Sequence, residues 1–112
     1  MTTQNAIALL GAAMGILMLT VPPAGAQEAG DPFAGHDLAV RWCSSCHVVD
    51  PVLQRQGSDA VPSFAAVAAM KSTTTASLAA FLSTPHARMP DYTLSRDDIA
   101  NVSAYILGLR KR

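Results

Sequence analysis

The sequence predicts an all-α protein. Apolar residues recur at three- and four-residue spacing in separate segments, helix-start signals precede them, and no stretch reads convincingly as a strand. Asp31-Pro32 is a helix start, with an aspartate to cap the first free amides and proline at the first helical position. Ala34, Leu38 and Trp42 then recur at helical spacing, as do Ala39, Cys43 and Cys46, which predicts a helix over about 32–46. Residues 48–61 carry loop signals, Asp50-Pro51 and Gln56-Gly57-Ser58-Asp59. Pro62-Ser63 opens a short alanine-rich turn of helix, FAAVAAM. A third helix starts at Thr74 or Thr75, puts Leu78, Phe81 and Leu82 on one face, and stops by Thr84 because Pro85 disfavours helical geometry before it. The segment PHARMPDY, residues 85–92, is pinned between two prolines as extended loop. Ser95 and Asp98 resemble a capping box before a last helix with Ile99, Val102, Ile106 and Leu109 on its apolar face. The last turn of that helix is basic, as the helix dipole favours.

The chain has 112 residues, but its first 26 read as something other than domain. AIALLGAAMGILMLTV, residues 6–21, has no charge and is followed by Pro22-Pro23 and Ala24-Gly25-Ala26. An apolar run of this length before an A-x-A site is the pattern of a secretory signal peptide, although Met1–Asn5 carries no lysine or arginine. Cleavage after Ala26 leaves one domain, residues 27–112; retention would make the segment a membrane anchor. The implied location is the periplasm. All eight basic and all eight acidic residues lie after residue 26, so the mature net charge is zero. With no basic stripe and 5% aromatic residues, the composition argues against nucleic-acid binding. Arg110-Lys111-Arg112 reads as a solvated helix end. A domain this small gains little margin from a protein-only core and often needs a disulfide, metal or cofactor.

Both cysteines lie in WCSSCH, residues 42–47. A thioredoxin-like disulfide would follow a strand and open a helix, where the dipole lowers the thiol pKa; these cysteines close a helix, with no βαβ pattern around them. A structural zinc site needs four ligands, and only His36 and His86 stand outside the motif. Haem attachment uses every residue. Cys43, Cys46 and His47 are three and four residues apart and share a helical face, so two thiols can add to the two vinyl groups of one porphyrin while His47 is placed under the iron. C-x-x-C-H is the pattern of c-type haem attachment.

With these residues in view, the chain resembles a small class I, single-haem c-type cytochrome over essentially residues 27–112. The resemblance rests on the helix leading into C-x-x-C-H, the proline-containing loop, a methionine loop and a C-terminal helix. It implies a class I cytochrome c fold, about four helices around one covalently bound haem c, with the N- and C-terminal helices crossing. It also implies that Gly35 packs closely against the C-terminal helix near Tyr105. For the sixth iron position the residues present three candidates, Met89, His86 and Met70. Pro90 biases Met89 to an extended geometry that projects its thioether, and small class I cytochromes present their distal methionine in a similar M-P loop. Met70 is better explained as core filling, His86 as a partly exposed loop residue, and His36 as a surface histidine. The family holds the other nitrogen of the proximal histidine with a proline carbonyl; Pro62 and Pro51 both qualify here, and P-S-F favours Pro62. Trp42 and Tyr92 are candidates for packing on the haem, and equally for ordinary core or loop.

The expected function is one-electron transfer between a larger redox donor and acceptor, with no enzymatic reaction, after maturation by a haem-attachment machinery. Arg55, Arg88 and the C-terminal tail are candidates for orienting a partner. The alternatives are a haem-based sensor or gas binder, or a weak peroxidase, each needing an open sixth position, and a dedicated electron-transfer subunit of one dehydrogenase or oxidase.

Overall fold

The computed structural model describes residues 29–53, 60–85 and 89–111; the proposed signal peptide, Arg55, His86, Arg88 and Arg112 lie outside the described residues. Among the described residues four helices, α1 (Pro32–Trp42), α2 (Phe64–Ala69), α3 (Thr75–Leu82) and α4 (Arg96–Gly108), are followed by a 3-10 turn, Leu109–Lys111. No strand occurs among the described residues.

Side-chain caps define the helix starts. Asp31 accepts from the Phe33 amide at 2.8 Å, with Pro32 at the first position of α1. Ser95 and Asp98 form the expected reciprocal box, Asp98 N to Ser95 Oγ at 3.1 Å and Ser95 N to Asp98 Oδ2 at 3.0 Å. Thr74 and Ser77 make a second box that the sequence reading did not single out, because serine stands where glutamate or glutamine is usual. Ser63 caps α2.

The first helix is shorter than its periodicity predicts. It ends at Trp42 rather than Cys46, since the amides of Cys43 and Ser44 both bond to the Ala39 carbonyl and the regular ladder stops there. A turn nevertheless continues: Cys46 N reaches Cys43 O at 3.2 Å and His47 N reaches the same oxygen at 2.9 Å. In α3, Leu78 is buried and Leu82 half-buried, but Phe81 is 54% exposed. One residue turns about 100° around a helix, which sets Phe81 at the edge of the buried stripe rather than within it.

The crossing of α1 and α4 organises the molecule. A Cβ on Gly35 would collide with the backbone at Asn101 and Val102, and one on Gly30 with Ala100 and Asn101. The two backbones meet where no side chain fits between them. The Asp31 amide bonds to Asn101 Oδ1 at 2.7 Å beside this contact. The close approach expected near Tyr105 thus falls one turn earlier in α4. Tyr105 is itself buried and donates from its hydroxyl to the Val49 carbonyl at 2.8 Å, tying α4 to the segment after the motif. The core around this crossing includes Leu38, Ala39, Phe64, Ala68, Leu78, Val102, Ile106 and Leu109. Ser103 is buried with its hydroxyl unpaired, and nothing in the structure explains it.

Two further expectations change. Arg110 is exposed, as expected, but is not a loose tail residue: its guanidinium bonds to the carbonyls of Ala68 at 2.8 Å, Thr73 at 2.9 Å and Met70 at 3.4 Å. It sits in the 3-10 turn beyond α4, whose own last turn carries no basic residue, and satisfies carbonyls left over where α2 ends. Met70 is not core filling; it occupies the C-cap of α2, 48% exposed.

Candidate functional site

The site is built where α1 runs out. Cys43 is the C-cap residue of α1, half-buried and packed against the core, whereas Cys46 is exposed. Burial pushes the Cys43 thiol up from its ordinary pKa, so this sulfur is held as a thiol in a partly apolar setting. The bonds from Cys46 N and His47 N back to Cys43 O keep the three motif residues on one turn.

His47 is oriented from a separate segment. Its Nδ1 lies 2.6 Å from the Pro62 carbonyl oxygen. A carbonyl only accepts, so Nδ1 carries the proton and the lone pair of the neutral ring lies on Nε2. Pro62 is placed in turn by the start of α2, where the Phe64 amide bonds to the Val48 carbonyl at 3.0 Å and Ser63 caps the helix. The Phe64 ring stands 5.5 Å from the His47 ring. Residues 47–50 are therefore tied at successive positions: His47 to Pro62, Val48 to Phe64, Val49 to Tyr105 and Asp50 to His36.

That last tie was missed in the sequence. His36, read as a surface histidine, is part-buried; its Nε2 lies 3.1 Å from Asp50 Oδ2 and its ring meets Tyr105 edge-on at 5.0 Å. Asp50 also accepts from the amides of Val52 at 2.8 Å and Leu53 at 3.1 Å. The Leu53 and Val52 amides, and then His36, hold the Asp50 carboxyl below the usual carboxylate range. An aspartate before proline signals such a turn; its histidine partner, fourteen residues earlier, has no local signal.

Met89 is half-buried and lines a recess with Leu82, Thr84, Pro85, Pro90, Asp91, Tyr92 and Leu94. Tyr92, three residues on, stacks on Trp42 at a centroid separation of 5.6 Å with the planes 25° apart. Trp42 directly precedes Cys43, so this stack brings the methionine loop to the end of α1 that carries the motif. The two aromatic residues pack on each other.

A helix that delivers C-x-x-C-H, with a histidine whose Nδ1 is taken by a carbonyl, is the arrangement of a c-type cytochrome. Comparison with known proteins agrees: the chain is 43% identical over 98 residues to cytochrome c-552 of Bradyrhizobium diazoefficiens, covering 86% of this chain and 93% of that protein. The chain belongs to the single-haem c-type cytochromes. No family model and no solved structure matches it. Its cofactor is one covalently attached haem c, and the residues present fit that group: two unjoined thiols on one turn and an imidazole whose lone pair is on Nε2. Among the described residues, no helix is long and apolar enough to cross a membrane.

Proposed function

We propose that the protein is a periplasmic one-electron carrier in which Cys43 and Cys46 hold haem c by thioethers and His47 and Met89 are the axial ligands of its iron. The observation that carries this reading is the His47 Nδ1 to Pro62 carbonyl contact of 2.6 Å. It fixes the tautomer and ring orientation and raises the basicity of Nε2, as outer partners of metal-bound histidines do. When bound, haem c supplies an iron that takes up and gives up one electron. Held in place by the chain, His47 and Met89 would both stay bound to that iron whether or not it carries the electron, so the chain would have little to rearrange. The methionine thioether, soft and neutral, favours Fe(II) and raises the potential relative to two histidines. With His47 and Met89 both holding the iron, no position would be left for a substrate, which suits a carrier rather than an enzyme. The half-buried Met89 in a recess bounded by two prolines supports this assignment.

Residues 1–26 act as the export signal in this reading, and the thioethers suit a shuttle that must keep its cofactor outside the cytoplasm. The partners are a redox donor and a redox acceptor protein, met in small, transient complexes, and the haem-attachment machinery during maturation. With a formal net charge of zero, long-range steering is modest and exchange rates fall only gently with salt.

Absorption spectra of the ferric and ferrous protein, matured in a periplasm, test the ligand pair. The expected result is thioether haem bands with a weak far-red methionine-to-iron band in the ferric form, lost in Met89→Ala. Haem bands without that transition would retract Met89 and reopen the sensor reading; no haem at all would retract the whole assignment.

A further inference from the structure

The Trp42–Tyr92 stack ties together two segments far apart in the chain. Trp42 is the last residue of α1, a helix held on α4 by the backbone contact at Gly35, so it is a fixed post. Tyr92 belongs to the loop that carries Met89. Two backbone bonds within that loop, Tyr92 N to Pro90 O at 3.0 Å and Leu94 N to Tyr92 O at 2.9 Å, set its shape. Its far end is anchored where Leu94 packs against the core and lines one recess with Leu82. Tyr92 lies between that anchor and Met89, with Pro90 stiffening the intervening chain. The ring separation of 5.6 Å and the angle of 25° are those of an offset stack. Trp42 and Tyr92 remain 40% and 38% exposed, so the pair is a latch at the surface, not a piece of core.

We propose that Trp42 and Tyr92 are positioning residues that clasp the Met89 loop against the end of α1 and so set how readily an outside ligand reaches the iron. This rests on the reading of the Met89 loop as the cover of the sixth iron position. An outside ligand binds only the open-loop population, so its apparent affinity rises in proportion to that population. A stacked aromatic pair couples its partners by roughly two- to tenfold, and its loss opens the loop by that factor.

The test is an imidazole titration of the ferric holoprotein, followed by haem absorption, for the native chain, Trp42→Leu, Tyr92→Leu, the double variant, Tyr92→Phe and Met89→Ala. Either leucine variant should bind imidazole roughly two- to tenfold more tightly than the native protein. Tyr92→Phe, which keeps the ring, should bind as the native protein does. The double variant should bind no more tightly than the stronger single one, because losing either ring already breaks the stack. Because Trp42 adjoins the attachment motif, Tyr92→Leu against Tyr92→Phe carries the test where Trp42→Leu fails to mature. Native-like affinity in the leucine variants, or fold-changes that multiply in the double variant, overturns the clasp. So does a native protein that shows the far-red band yet binds imidazole as tightly as Met89→Ala. The far-red band of the native protein separates the two readings: if it is absent while the leucine variants still bind more tightly, Met89 is retracted as a ligand and the clasp stands.

Discussion

The two ends of α1 are held in opposite ways. At its N-terminal end the backbone lies directly on the backbone of α4, with Gly30 and Gly35 leaving no room for a side chain and Asn101 bonded to the Asp31 amide. At its C-terminal end the contacts described are side-chain ones: Cys43 half-buried, Cys46 exposed, and Trp42 resting on a loop tyrosine that is itself partly in solvent. Backbone contact tolerates almost no change of geometry, because there is no rotamer to adjust. A side-chain stack can open and close. The scaffold thus meets backbone to backbone at one end of α1 and through a side-chain stack at the end that leads into the C-x-x-C-H motif.

The largest effect that would sharpen this contrast is removal of the cofactor. Haem is expected to complete the C-terminal side, so the chain without haem, as in Cys43→Ser with Cys46→Ser, should lack a cooperative thermal transition by far-UV circular dichroism. A cooperative melt would show that the crossing stands alone. Next, Gly35→Ala should cost about 2–3 kcal/mol in the ferric holoprotein, because the added methyl falls on backbone that cannot turn aside. Gly108→Ala, with nothing near its Cβ direction, should instead gain up to about 1 kcal/mol from helix propensity. Urea denaturation of both compares them, and equal costs would remove the special status of the crossing.

Arg110→Met should cost roughly 1.5 kcal/mol by the same assay, by removing a charged donor from the carbonyls that end α2. The smallest effect concerns Asp50. Its folded carboxyl is held below the ordinary range, so its stabilisation is complete above the unfolded aspartate pKa of about 3.9 and disappears as pH falls through the lower folded value. Asp50→Asn should therefore lower the urea midpoint at pH 7 and narrow its gap from the native protein below about pH 4. A gap independent of pH would mean that the charge contributes nothing beyond the hydrogen bonds an asparagine also accepts.

Much of the fold was legible locally. Asp31-Pro32, the Ser95–Asp98 box and the spacing of Val102, Ile106 and Leu109 each place a helix, since caps and periodicity involve residues at most a few positions apart. The end of α1 was less legible: apolar spacing continues through Cys46, and only the competition of two amides for the Ala39 carbonyl ends the helix at Trp42. Met70 read as core by composition and lies half in solvent, because the C-cap of a six-residue helix turns the chain outward there. Arg110 read as a tail, because its carbonyl partners lie 37 to 42 residues earlier in the chain.

The sequence by itself pointed to the chemistry: which residues are proposed to attach haem, which histidine is proposed to bind its iron, and that the chain around them is helical. Those properties follow from spacings of three and four residues and from residue type, which act over a single turn. Only the tertiary structure decided that Gly35 meets Asn101 and Val102, that Tyr105 bonds the Val49 carbonyl, that His36 meets Asp50, and that Trp42 stacks on Tyr92. Each of these joins residues far apart in the chain, and such pairs are settled by how whole helices pack rather than by any local preference.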